Sequence, residues 1–179
     1  GRRGAVVERL HHPWGVAVNG KGDIIVADQG NHRVVVYRRD GTFVRAFGSL
    51  GTGDGRFGGL FGIAVGPDGR IVVADQQNYC LQVFSAEGGH VMTIGSEGKG
   101  PGQFRRVQDV AVSAHGEILV TDDVRHDLQL FSCEGAFLQC WGKGDVAGGD
   151  VFFPLGACVD ADGRLFVINT GGSALLMLA

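Results

Sequence analysis

The chain has 179 residues, of which 44% are hydrophobic and 20% charged, a composition typical of a globular protein. Its net charge of −3 gives no overall attraction to nucleic acid, so such binding would need a local basic patch. No apolar run approaches the roughly 18 to 20 residues of a membrane span, and the sequence therefore predicts no membrane contact of that kind.

The first predicted elements form a β-hairpin that returns at a fixed spacing. Residues 16–18 and 24–27 are short apolar runs, and they are joined by a turn that contains Gly22. Versions of this stretch begin every 47 residues, at Gly15, Gly62, Asp109 and Gly156. A glycine recurs at the same place in every turn, which predicts a backbone with positive φ there. The chain is therefore an array of internal repeats.

Two more strands follow each hairpin. The third strands are predicted at 34–37, 81–84 and 128–131, and the fourth at 43–47, 90–94 and 137–141. Polar loops separate the second strand from the third. Glycine-rich segments, expected to be flexible linkers, lead from the fourth strand to the next copy.

Four antiparallel strands in each 47-residue repeat, with the first two strands apolar on both sides, are typical of a β-propeller blade. A blade is covered on both faces by its neighbours, which explains the continuous apolar runs. We therefore predict an all-β propeller forming one domain. Its expected blades are residues 10–56, 57–103 and 104–150, with an incomplete fourth blade at 151–179.

A dozen positions of this pattern recur in phase and resemble the NHL repeat. In the first copy they include Pro13, 15–18, Gly22, 24–28, Asn31, 33–34, Tyr37, Gly41 and 47–48. The stretch GNHRVVVYRRDGTFVRAFGSLG is similar to NHL domains that form the C-terminal part of metazoan tripartite-motif (TRIM) ubiquitin ligases. This resemblance implies a six-bladed propeller and a role in such a ligase, whose RING would lie outside this chain. The fourth copy departs most from the pattern, with Asn169 in place of Asp28 and Gly172 in place of Asn31.

The number of repeats predicts an incomplete ring. Six copies of this length need about 282 residues, so 179 residues supply fewer than four blades and would leave two apolar blade faces bare. We expect a partial propeller that lacks about 100 residues. The rival interpretation is a closed four-bladed ring in which residues 5–7 supply the missing strand.

Three aspartates end the second strands and are expected to have a structural role. Asp28, Asp75 and Asp122 should cap the loops by accepting backbone N–H groups of the loop that follows. Four single cysteines without a CxxC pair predict reduced thiols in a cytoplasmic protein and no structural zinc. Cys158 takes the place of Ala17 on an inner strand, so we expect its thiol to be buried and unreactive.

The sequence predicts no catalytic residues, no metal ligands and no cofactor. It contains no GxSxG motif and no phosphate loop between a strand and a helix. Zinc-dependent amidating lyases share this repeat, but only His32 and His126 are equivalent here, two blades apart, and no third ligand can be identified. A lyase of that kind, or a purely structural scaffold, remains the alternative to a binding module.

The loops after the second strand, and those that lead into the next blade, should share one face of a propeller. Candidate ligand-binding residues on that face are Trp14, His32, Arg33, Arg56, Tyr79, Arg105, Arg106, Gln108, Arg125 and His126. Cations and accessible aromatic rings suit single-stranded RNA, but the same residue types anchor protein partners. Acidic residues, among them Asp123 and Asp127, make the face mixed, so a protein partner and single-stranded RNA both remain open. Trp14 could instead plug the central channel.

Overall fold

The computed structural model describes residues 9–145, 150–160 and 162–178, and its strands follow the repeat. The strands are β1 Pro13–Val18, β2 Ile24–Asp28, β3 Arg33–Tyr37, β4 Phe43–Phe47, β5 Ser49–Leu50, β6 Arg56–Phe57, β7 Leu60–Val65, β8 Ile71–Asp75, β9 Cys80–Phe84, β10 His90–Ile94, β11 Ser96–Glu97, β12 Gln103–Phe104, β13 Val107–Val112, β14 Ile118–Asp122, β15 Asp127–Phe131, β16 Phe137–Trp141, β17 Pro154–Val159, β18 Leu165–Asn169 and β19 Ala174–Leu178. Short 3₁₀ turns at Gln29–Asn31, Gln76–Asn78 and Thr170–Gly172 follow β2, β8 and β18.

Four antiparallel sheets form the blades, which confirms the predicted propeller architecture. Blade 1 contains β1 to β4, blade 2 contains β7 to β10, blade 3 contains β13 to β16, and blade 4 contains β17 to β19. The first strand of each blade begins three residues before the predicted start, because Pro13 pairs with Asp28 beyond an irregularity in the ladder. The predicted hairpin glycines have positive φ, at 82° for Gly22 and 83° for Gly69.

The hydrophobic core consists of layers between consecutive blades. Side chains alternate along each strand, so one set faces the preceding blade and the other faces the following blade. In the layer between blades 1 and 2, Ile25 and Val34 of blade 1 meet Ile63 and Val73 of blade 2. Equivalent layers lie between blades 2 and 3 and between blades 3 and 4. Each blade is thus stabilised through its neighbours.

The two end blades have bare apolar sides. Val16 and Val18, which face away from blade 2, are 64% and 62% exposed, whereas Ile63 and Val110, the equivalents of Val16 in blades 2 and 3, are buried. Leu175 of blade 4 is likewise 66% exposed. The innermost strands pack in the order β1, β7, β13 and β17, and β1 does not pack against β17 as these neighbours do. The described strands therefore form an open arc; residues 5–7 of the closed-ring interpretation lie outside the described residues.

The expectation of a buried Cys158 is wrong, because this thiol is exposed. The equivalent Ala111 of blade 3 is buried in the layer against blade 4. Cys158 points to the opposite side of β17 from Ala157, which packs against blade 3. Burial at this position therefore depends on the following blade, and the arc of described strands ends at blade 4.

The glycine-rich linkers are ordered, contrary to the expectation of flexible segments. In the first linker, β5 and β6 form a short parallel ladder that pairs Ser49 with Arg56. The next linker repeats this ladder with β11 and β12. Phe57 and Phe104 end these linkers and are completely buried. Each linker is therefore part of the interface between two blades.

Candidate recognition face

In every blade, the loop after the second strand lies beside the segment before the first strand. The N–H of Gly30 donates to the His11 carbonyl, and the N–H of Gly171 donates to the Phe152 carbonyl, both at 2.8 Å. We call the surface built from these segments the loop face. It consists of residues 11–12, 29–32, 58–59, 76–79, 105–106, 123–126, 152–153 and 170–173.

Asp75 anchors the loop face in blade 2. Its buried carboxylate accepts the backbone N–H groups of Gly58 and Gly59 at 3.0 and 2.9 Å. It also accepts the side-chain amides of Asn78 at 2.7 Å and Gln82 at 3.1 Å. Burial raises the pKa of Asp75, and these hydrogen bonds oppose that rise. The carboxylate thus joins the segments on both sides of the hairpin.

For the other two aspartates as well, backbone N–H groups come from the segment before the first strand of the blade. The expectation that the following loop supplies them is corrected accordingly. Asp28 accepts the His11 N–H at 2.6 Å, from the segment before β1. Asp122 accepts the N–H groups of both Arg105 and Arg106, from the segment before β13. The aspartates therefore mainly join the end of the second strand to the segment before the first strand, and only Asp122 also binds backbone N–H groups of the following loop among the described hydrogen bonds.

One loop position adopts the left-handed conformation in every blade without being glycine. His32, Tyr79, His126 and Ser173 have φ between 48° and 59°. This conformation is uncommon for residues with a side chain, and such positions are found at sites where the surroundings hold them in place. Three of the four side chains are rings, so the loop presents a ring beside each of the first three blades.

Four of the five candidate arginines are paired with carboxylates. Arg33 binds Asp28 at 2.9 Å, and Arg106 binds Asp123 through two bonds of 2.6 Å. Arg125 binds Asp127 at 2.6 Å, and Arg105 lies 3.6 Å from Glu97. The candidate Gln108 also donates to Asp123, at 2.8 Å. Arg56 is exposed and has no ion pair within the described ranges. The cationic character of the face is therefore largely neutralised.

Exposed aromatic rings form two groups at the loop end of the propeller. Trp14 is 63% exposed and contacts Phe61, with ring centroids 4.9 Å apart. On blades 3 and 4, His126 contacts Phe152 and Phe153, with centroids 4.4 Å apart in each case. The sequence analysis did not select Phe152 and Phe153. Their equivalence to the selected Arg105 and Arg106 was a signal that could have identified them.

The four innermost strands line a central channel that is open between β17 and β1. Trp14, Phe61, Gln108 and Leu155 occupy equivalent positions on these strands. Trp14, Gln108 and Leu155 line the cavity at the mouth of the channel, and Phe61 contacts Trp14. Trp14 lies at this mouth and remains exposed. The next position along each strand is glycine, except that blade 3 has Asp109. Asp109 therefore lies on β13 in the channel and not in a loop.

A cavity of about 660 Å³ separates parts of blades 3 and 4. Two substitutions within the repeat account for it. Val151 replaces the buried Phe57 and Phe104 of the earlier linkers, and Leu176 replaces the buried Gln82 and Gln129. The two glutamines donate to linker carbonyls, at Arg56 and Gln103. Blade 4 lacks both the large ring and the polar contact.

A metal-binding cluster of three or more His, Cys, Asp or Glu side chains is not found in the described parts of the chain. The four cysteines are free, and burial raises the pKa of Cys80 to about 12, with the charge of Asp75 adding to the rise. None of the described helical segments has the length and apolar composition to cross a membrane.

Sequence comparisons identify the repeat. A family model described as NHL repeat matches residues 10–37, and one described as 6-bladed beta-propeller matches residues 63–146. The chain is 43% identical over 56 residues to RING finger protein nhl-1 of Caenorhabditis elegans, covering 31% of this chain and 6% of that protein. It is 43% identical over 54 residues to Protein brain tumor of Drosophila melanogaster, covering 30% and 5%. A stretch of 43 residues is 49% identical to B-box type zinc finger protein ncl-1 of C. elegans, covering 24% and 5%.

Solved structures share the fold at low sequence identity. A streptogramin B lyase superimposes with a TM-score of 0.71 and 16% identity, covering 92% of this chain and 50% of the other. A Bacteroides thetaiotaomicron protein of unknown function gives a TM-score of 0.72 and 16% identity, covering 92% and 46%. The chain thus spans about half of these structures and about 5% of its curated relatives' length. The chain is a β-propeller whose repeats are similar to the NHL repeat, and segments of it are similar to RING finger and B-box proteins.

Proposed function

We propose that this chain is a non-catalytic module that recognises a protein partner through its loop face. The observation that carries the proposal is the pairing of the loop-face arginines with carboxylates. An arginine that already binds a carboxylate through two hydrogen bonds, as Arg106 does with Asp123, has little free capacity for a phosphate. The rings of Phe152 and Phe153 on the loop face are exposed, and aromatic residues are enriched at protein interfaces.

Single-stranded RNA is the second candidate partner, because Arg56 and Tyr79 could still supply a cation and a ring. RNA binding without sequence preference needs a positive groove that follows the phosphates as well as rings for the bases. The paired arginines and the net charge of −3 argue against such a groove. We therefore rank RNA second.

We also propose that the module belongs to a larger assembly. Relatives named RING finger and B-box proteins support a role as the substrate-recognition part of a TRIM-type ubiquitin ligase. The six-bladed family model and the bare sides of blades 1 and 4 support a propeller with further blades. A cytoplasmic location fits such a ligase and the four free thiols.

The test is a peptide-display selection on the full chain. Selected peptides are synthesised and their dissociation constants measured by calorimetry. We expect the Phe152→Ala change to weaken binding at least about tenfold, as for an interface hot spot. Leu138→Ala is the matched control, because Leu138 is an exposed apolar side chain on β16 outside the loop face. Equal effects of the two changes would contradict the proposal.

A parallel titration with a random-sequence single-stranded RNA distinguishes the second candidate. We expect no binding tighter than about 100 μM at low salt. Tighter binding with a salt dependence that flattens by roughly 0.7 per contact in Arg105→Ala/Arg106→Ala would instead support RNA recognition. In that case Tyr79→Ala should remove a stacking surface and cost about 1 to 3 kcal/mol.

A further inference from the structure

Asp109 introduces a carboxylate into a ring of glycines in the central channel. The equivalent residues of blades 1, 2 and 4 are Gly15, Gly62 and Gly156. The Asp109 side chain reaches the neighbouring blade 4, where its Oδ2 accepts the Ala157 N–H at 3.0 Å. A Cβ added to Gly62 would overlap Asp109 Oδ1. The glycine of the neighbouring blade thus makes room for this carboxylate.

Within residues 9–145, 150–160 and 162–178, no cation pairs with the Asp109 carboxylate. Burial raises its pKa, and only the backbone N–H groups of Ala157 and Val110 oppose that rise. The ion pairs found among the described residues do not include Asp109, whereas Asp123 and Asp127 each bind an arginine. A partly buried carboxylate without a cation is costly, because it loses hydration and gains no compensating charge.

The mouth of the same channel is aromatic. Trp14 and Phe61 contact each other at the entrance, and Trp14 and Asp109 line one cavity of about 300 Å³. The faces of aromatic rings attract cations, tryptophan most strongly. The cavity volume is at the lower limit for small-ligand sites, which suits a single side chain better than a folded segment.

We propose that the channel mouth binds the positively charged head group of one lysine or arginine side chain of a protein partner. Asp109 is the counter-ion of this head group, and the face of the Trp14 ring packs against it. The inference rests on the proposed function, since the loop face would bring the partner to the channel mouth. The inference extends the proposed function by naming the class of partner side chain, a basic one, that the channel mouth binds. The hydrogen bond from the Ala157 N–H goes to Oδ2, and Oδ1 lies beside Gly62, which lines the same cavity.

The experiment titrates the full ¹⁵N-labelled chain with acetyl-arginine amide and follows the Trp14 indole and Val110 amide signals. The neutral probe is acetyl-glutamine amide. Asp109→Asn keeps an oxygen acceptor for the Ala157 N–H but removes the charge. Asp54→Asn is the matched control, because Asp54 is an exposed carboxylate in the linker between blades 1 and 2. Unchanged amide signals outside the channel show that each variant is folded.

We expect saturable shifts with the arginine probe and none with the glutamine probe. Asp109→Asn should weaken binding at least about tenfold, as expected for loss of a charged hydrogen-bond partner. Asp54→Asn should change it less than about twofold, since exposed charges are screened. Trp14→Leu should weaken it about two- to fivefold through loss of the cation–π contact. Absence of saturation up to about 50 mM, or equal binding by Asp109→Asn, would overturn the proposal.

The peptide selection separates this failure from a failure of the proposed function. If selected peptides lose affinity in Phe152→Ala but bind Asp109→Asn as they bind the wild type, the loop face recognises proteins without the channel. If they contain an essential basic residue and lose affinity in both variants, both proposals hold.

Discussion

Gln82 should stabilise the interface between blades 1 and 2 from inside blade 2. Its Oε1 accepts the Gly55 N–H at 2.9 Å, and its Nε2 donates to the Arg56 carbonyl at 2.6 Å and to Asp75 at 3.1 Å. The substitution Gln82→Leu introduces the residue that occupies this position in blade 4. It would remove a hydrogen-bond partner of the Gly55 N–H and of the Arg56 carbonyl, and it would take one donor from the buried Asp75 carboxylate.

The expected loss of stability follows from these contacts. An unsatisfied buried donor or acceptor costs about 1 to 3 kcal/mol, and the apolar leucine recovers part of it through packing. We expect Gln82→Leu to lower the free energy of unfolding by about 2 to 4 kcal/mol. Urea denaturation of the full chain measures this loss, and hydrogen exchange at the Gly55 amide shows whether it is local.

The control is Gln77→Leu, the same change at an exposed position of the adjacent loop. This variant should stay within about 0.5 kcal/mol of the wild type. If Gln82→Leu also stays within that range and the Gly55 amide keeps its protection, the linker is not held by Gln82. The structural account of the interface would then be wrong.

Three further predictions concern the core, the linkers and the thiols. Phe104→Ala should lower the free energy of unfolding by about 3 to 5 kcal/mol, because the ring is completely buried; a loss below 1 kcal/mol in urea denaturation would contradict its place in the core. Gly95→Ala should destabilise more than Gly144→Ala, because both have positive φ but only Gly95 lies against a ring; equal melting temperatures would refute this. A maleimide should label Cys158 well before Cys80, whose pKa burial raises to about 12; mass spectrometry of the labelled peptides tests this, and the reverse order would contradict the exposure.

The repeat made most of the fold predictable. The constant 47-residue spacing predicted the number and order of the strands, and the fourth strands were predicted residue for residue at Phe43–Phe47 and His90–Ile94. The burial of Cys158 could not be predicted in the same way. Its position is apolar in every copy, but whether it is covered depends on a neighbouring blade and not on its own strand.

The loop face was predictable only in outline. The sequence placed Arg106 and Tyr79 in loops that share one face, and in the structure Gln76 of the Tyr79 loop donates to the Val107 carbonyl, next to Arg106, at 3.2 Å. It did not show that Arg106 binds Asp123, 17 residues away, because that pairing depends on how two segments meet across a hairpin. Which segment supplies the N–H donors to Asp75 also depends on how the segment before β7 meets the end of β8. Local sequence patterns carry little information about which of two nearby segments supplies a donor.

The cavity between blades 3 and 4 makes one link of a linear array weaker than the others. In repeat proteins each unit is stabilised by its immediate neighbours, so opening begins where the interface contributes least. We expect blade 4 to detach before the remaining blades separate. The ring cluster of His126 and Phe152 spans this junction, with one ring contributed from each side. A partner that binds both rings would therefore stabilise the interface between blades 3 and 4. The apparent stability of blade 4 would then rise with the concentration of that partner.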